Sequence, residues 1–99
     1  MDIFAVYDKK GNFYLPFLAP NSFDAQKALS FDVNMKANGG TVLSNNPSDF
    51  ALYRLGSVQD NGDVLKSPMP LFVVECSNLV IHESEDKPAN VESIEDLFE

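Results

Sequence analysis

Ile3-Phe4-Ala5-Val6-Tyr7 runs into Asp8-Lys9-Lys10-Gly11-Asn12, and a second apolar stretch, Phe13 to Leu18, follows at once. A β-branched and aromatic run, a cluster of turn residues and another apolar run predict a β-hairpin at the head of the chain. Gly11 suits a positive φ, as a type I turn followed by a left-handed residue requires. Both faces of the first strand are apolar, with Ile3, Ala5 and Tyr7 on one and Phe4 and Val6 on the other, so both are expected to be covered. Pro16 has no N–H to give to a ladder, which places its strand at a sheet edge or at a bulge.

Pro20-Asn21-Ser22 then stops the hairpin and starts a helix. Asn21 as N-cap puts Asp24 at the third position, close to a capping box and at the positive end of the helix dipole. The helix is expected from Phe23 to Lys36 or Ala37. Its apolar side would gather Ala25, Ala28, Leu29, Phe31, Val33 and Met35, with Asp32 paired to Lys36 at the rim. Asn38-Gly39-Gly40 supplies a left-handed stop. After a polar loop through Asn45-Asn46-Pro47-Ser48, a strand is expected over Phe50 to Val58. Asn61-Gly62 then predicts a type I′ hairpin turn. Val64-Leu65-Lys66 returns, Pro68 and Pro70 form a stiff connector, and Leu71 to Cys76 has the composition of a buried strand, extended by Leu79 to His82. The expected fold is α+β: a small antiparallel sheet of four to five strands, order ββαβββ, with one helix on a face. One helix covers part of one face only, and the apolar remainder suggests a homodimer.

The chain has 99 residues and a formal net charge of −8, unevenly placed. Residues 1–82, expected to form one domain, hold eight acids against six bases. Residues 83–99 hold seven acids against Lys87. The body is therefore close to neutral, and a local basic face on it is compatible with the total. The terminal stretch is expected to be a flexible acidic tail whose Ile94, Leu97 and Phe98 share one face of a short docking helix. Three roles for it stay open: a solubilising end, a peptide that competes for the protein's own basic groove or recruits a partner, and docking onto a neighbouring subunit. No apolar run approaches the roughly 18 residues of a membrane span. Neither membrane association nor a signal segment is expected.

The palette for catalysis is thin. With one cysteine and one histidine, a Cys76–His82 dyad lacks an orienting third group, and no four-ligand metal site assembles. Asp60-Asn61-Gly62-Asp63 superficially resembles a calcium loop but lacks its downstream ligands and closing glutamate. The glycines carry no phosphate-binding motif. No catalytic residue, cofactor or metal is expected, and a non-enzymatic module of a reducing cytoplasm is. Single-strand nucleic-acid binding asks for aromatic rings on an exposed sheet with bases nearby. Tyr7, Phe13 and Tyr14 flank Lys9 and Lys10, and Tyr53 neighbours Arg54. The alternative for these rings is ordinary sheet core.

Several blocks in one order carry a family resemblance. Phe4-Ala5-Val6-Tyr7-Asp8, Leu15-Pro16-Phe17, Ala25-Gln26-Lys27-Ala28-Leu29, Asn46-Pro47-Ser48-Asp49-Phe50-Ala51-Leu52-Tyr53 and Leu55-Gly56-Ser57 together resemble the small nonstructural protein of gokushovirus-like phages, single-stranded DNA phages of the microvirus group. Lys27, Leu29 and Gln59 depart from the family's commoner residues, and the acidic extension after His82 is longer than usual. The resemblance implies a nonstructural, DNA-binding phage protein in the host bacterial cytoplasm, acting around single-strand genome synthesis and packaging. Joined to the residue pattern, it gives a homodimer that binds single-stranded DNA weakly. Lys9, Lys10, Lys27, Arg54 and Lys66 would meet phosphates, and Tyr7, Tyr14 and Tyr53 would stack bases. With the acidic tail in the same groove, deleting residues 83–99 is expected to tighten binding. The rival is a protein–protein adaptor that engages a host replication or phage assembly protein through the tail or an apolar sheet face.

Overall fold

A computed structural model describes residues 1–14 and 16–81. Ile94, Leu97, Phe98, His82 and the acidic stretch around them lie outside the described residues. Strand β1 (Asp2–Asp8) is followed by two short strands, β2 (Asn12–Phe13) and β3 (Phe17–Ala19), helix α1 (Ser22–Val33), a short helix α2 (Val42–Asn45), and strands β4 (Phe50–Val58) and β5 (Val64–Glu75). The five strands form one antiparallel sheet, ordered β2-β1-β4-β5, with β3 also on β1. The α+β class and the helix on one face are as the sequence predicts. The chain order differs: three strands precede the helical part and two follow it, because Pro16 breaks the second arm of the first hairpin into β2 and β3. Among the described residues no helix is long and apolar enough to cross a membrane.

Both hairpin turns are built alike. The Gly11 N–H donates to the Asp8 carbonyl (2.8 Å) and the Gly62 N–H to that of Gln59 (2.9 Å), with each glycine at positive φ. Asn61 keeps a negative φ, so the second turn is not the expected type I′. It is a type I turn followed by a left-handed glycine, in which Asn61 Oδ1 accepts the Asp63 N–H (3.0 Å).

Helix α1 starts as predicted, with Asn21 Oδ1 accepting the Asp24 N–H at 2.9 Å. It ends at Val33, earlier than expected. Asn34 stops it: its Nδ2 donates to the carbonyls of Ser30 (2.8 Å) and Leu79 (2.9 Å), and its Oδ1 accepts the Ile81 N–H (2.8 Å). The left-handed residues Asn38, Gly39 and Gly40 belong to a separate 3₁₀ turn, Ala37–Gly39, and its exit. The expected Asp32–Lys36 ion pair is not formed. Thr41 caps α2 reciprocally with Ser44, a helix unforeseen in the polar loop. Asn34→Ala is expected to cost about 1–3 kcal/mol in a denaturant titration, since it leaves the Leu79 carbonyl and the Ile81 N–H without their partner. Asn34→Asp, which keeps the acceptor, should fall between.

The core lies between α1 and one face of the sheet. Ala25, Leu29 and Val33, at helical spacing, pack with Phe4, Val6, Phe50 and Leu52. Phe31, assigned to the apolar side, is 72% exposed, as is Ala28 in large part; the buried stripe is narrower than composition suggests. The strand expected over Leu71 to Cys76 is the end of the long β5, and Leu71 and Phe72 are exposed rather than buried. Its extension beyond Leu79 does not form over the described residues to Ile81, because Cys76–Leu79 is a 3₁₀ turn that carries the chain towards α1.

Candidate nucleic-acid interface

Alternation along β1 puts Phe4 and Val6 against the helix and leaves Ile3, Ala5 and Tyr7 on the other face. Among the described residues no helix covers that face, contrary to the expectation that both would be covered. Register fills it with rings. Tyr7 is cross-strand from Phe13, and Tyr53 is cross-strand from Ala5 and from Phe72. The ring centroids of Tyr7 and Phe13 are 4.7 Å apart, Tyr7 and Tyr53 5.5 Å, Phe13 and Tyr53 5.8 Å, and Tyr53 and Phe72 5.8 Å. The last three contacts are edge-on or nearly so, the arrangement that the ring quadrupole favours. The result is one aromatic row across β2, β1, β4 and β5, with Tyr53 touching every other member.

The row is not sealed: Phe13 is 42% and Phe72 56% exposed, and Tyr7 and Tyr53 are half-buried. Phe72 escaped the sequence reading because its run looked like a buried strand. Its exposure follows from a bulge at Val73, where Leu52 faces Val74 but Tyr53 faces Phe72. A register shift of this kind is fixed by tertiary pairing and leaves no local signal. Tyr14 stands apart from the row. It is exposed, packs on Phe50 at 5.6 Å, and helps line a shallow pocket of about 240 Å³ with Lys10 and Asp49.

The five candidate cations do not meet on one surface. Lys9 forms an ion pair with Glu75, and its Nζ donates to the Ser48 carbonyl (2.9 Å). Lys10 is at the tip of the same hairpin, on the Tyr14 pocket. Lys27 is on α1, with its ammonium 5.9 Å from the Phe23 ring centre. Arg54 follows Tyr53 in β4 and so faces the opposite side, cross-strand from Phe4, where it pairs with Asp2 at 3.2 Å. Lys66 borders the open face, as does the Lys9–Glu75 pair, since Glu75 is cross-strand from Ala51 and Ala51 from Tyr7. Lys66 lines an apolar groove of about 320 Å³ with Ile3, Leu55, Val64, Ser67 and Pro70. Tyr53 is cross-strand from Ala5, two residues along β1 from Ile3, so this groove begins roughly 7 Å along the strand from the centre of the row.

Cys76 contributes no chemistry to this surface. It is fully buried, and burial, with Glu75 nearby, pushes its thiol up to about 11, partly offset by Lys9. The protonated thiol acts as a small apolar core residue. Among the described residues no group of three His, Cys, Asp or Glu side chains is placed to hold a metal.

Comparison with known proteins adds one finding. A family model described as "Phage ORF5 protein" matches residues 1–79, nearly the whole of the described fold. No curated protein and no solved structure matches.

Proposed function

The chain belongs to the Phage ORF5 protein family, and from that premise we propose that this phage protein binds single-stranded DNA, stacking bases on the open aromatic row. The single observation that supports this is the row itself: four rings joined through Tyr53, on a sheet face that no helix covers among the described residues. Base–aromatic stacking tolerates any sequence, because every base offers a π-face. The finer assignment to gokushovirus-like phages of the microvirus group, and a role around single-strand synthesis and packaging, belong to the same proposal. They rest on the sequence resemblance.

The charge layout defines the mode. Lys9 and Arg54 are engaged by Glu75 and Asp2, and Lys10 and Lys27 lie off the open face, which leaves Lys66 as the candidate cation on that face outside an ion pair among the described residues. Binding is then carried by stacking, with few phosphates neutralised. A titration with a labelled oligonucleotide at several salt concentrations should give a log–log slope of about −1, at ~0.7 per neutralised phosphate on a single strand. Tyr53→Ala removes the ring at the centre of the row and should weaken binding about tenfold, within the ~1–3 kcal/mol of a stacked base. Tyr14→Ala should leave affinity unchanged. No binding at low salt, or equal effects of the two variants, would overturn the reading.

A second reading, the homodimer that the sequence suggests, draws on a different observation. β5 is an edge strand on which Val64, Leu65, Met69 and Leu71 are all exposed. Long apolar edges invite pairing, although Pro68 and Pro70 interrupt this one. Sedimentation equilibrium distinguishes the cases: a dimer that dissociates on Leu71→Lys supports pairing through β5, and a monomer at all concentrations refutes it.

A further inference from the structure

The outer face of α1 carries an apolar stripe that the core does not use. Phe23 and Phe31 are 69% and 72% exposed, and Lys27 lies between them at i+4. On a helical wheel this stripe is opposite Ala25, Leu29 and Val33, so it faces away from the core of the described residues. Exposed phenylalanines two turns apart, bracketing a cation, suit a short acidic segment with apolar residues at helical spacing.

Such a segment exists in this chain. Ile94, Leu97 and Phe98 stand at helical spacing in the sequence, and Glu95 lies among them. The described chain ends beside the stripe: the Ile81 N–H and the Leu79 carbonyl are both held by Asn34, the residue that closes α1, three positions beyond Phe31. Residues 82–92 reach about 40 Å when fully extended. The stripe from Phe31 to Phe23 is only about 12 Å long, so the segment reaches all of it from its own exit point. We propose that Ser93–Glu99 docks in cis along the Phe23–Lys27–Phe31 stripe, with Ile94, Leu97 and Phe98 against the two rings and Glu95 beside Lys27.

A seven-residue helix has no stability of its own, and the tether supplies the high effective concentration that makes so small a contact persist. The stripe lies on the layer opposite the aromatic row, so docking there leaves the row open. This separates the proposal from the sequence expectation of a tail that competes for the DNA groove, and it stands whether or not the protein binds DNA.

The test uses the full chain with Glu99→Cys carrying a nitroxide, Cys76 being buried, and reads paramagnetic broadening of amide signals. The expected result is at least a twofold loss of intensity around Phe23, Lys27 and Phe31 relative to Tyr53 and Phe72, independent of protein concentration. Lys27→Glu should abolish the loss, and Lys27→Glu combined with Glu95→Lys should restore it. Broadening centred on Tyr53 and Phe72 would put the segment in the other groove and overturn the proposal. Broadening transferred to an isotope-labelled partner chain in a mixed sample would assign the stripe to a second copy, and uniform broadening would mean no docking; either overturns it.

Discussion

Phe4→Ala is expected to lower the unfolding free energy by about 3–5 kcal/mol, the range for deleting a fully buried aromatic ring. Phe4 has no exposed surface, sits on the strand at the centre of the first hairpin, and packs with Leu29, Val33 and Leu52 while its ring lies 6.0 Å from that of Phe17. Those neighbours come from a strand, a helix and an edge segment tied to one another, so the hole has little room to collapse. Against a total of roughly 5–15 kcal/mol for a domain of this kind, the variant should be partly unfolded at ambient temperature. A urea titration checks it, with Met69→Ala, exposed on β5, as the control expected within about 0.5 kcal/mol of the parent. A cost below about 1.5 kcal/mol for Phe4→Ala would mean that the helix does not cover β1 as described.

Gly56→Ala should cost about 3 kcal/mol, at the upper end for overpacking, because the obstacle is backbone. A Cβ at this position would collide with the Leu65 carbonyl oxygen and stand 3.1 Å from Lys66 Cα. Neither atom yields unless β4 and β5 separate. The residue is flanked on both sides, by Ile3 and by Lys66, so the damage should spread to the groove beside the aromatic row. Gly62→Ala gives the contrast. Its Cβ meets nothing within 4 Å, and its cost, about 1–2 kcal/mol, arises only from φ +95. If both variants lose the same stability, the close approach of β5 to Gly56 is not real.

Neither effect is legible in the sequence in the same way. Phe4 is readable as core because its alternation with Val6 is local. Gly56 looks like any glycine in a strand, since the contact that requires it comes from nine residues away through a bulged register. The aromatic row divides likewise. Tyr7 and Tyr53 are identifiable as candidates from residue type, whereas Phe72 joins them through the bulge at Val73, and Tyr14, next to Phe13, points to the opposite face and packs on Phe50. For the cations, proximity in sequence misleads: Arg54 follows Tyr53, yet strand alternation sends the two to opposite faces.

The amino-acid order by itself determined the elements whose signals are local: the first hairpin with its left-handed Gly11, the Asn21 cap of α1, the antiparallel α+β class and the concentration of negative charge after residue 82. Tertiary structure alone decided which face of the sheet the helix covers, where α1 stops, and that four rings from four strands form one open row while the cations scatter. The reason is that a strand's facing and a helix's end depend on register, bulges and long-range partners such as Leu79 and Ile81 on Asn34. These are set only when distant segments meet.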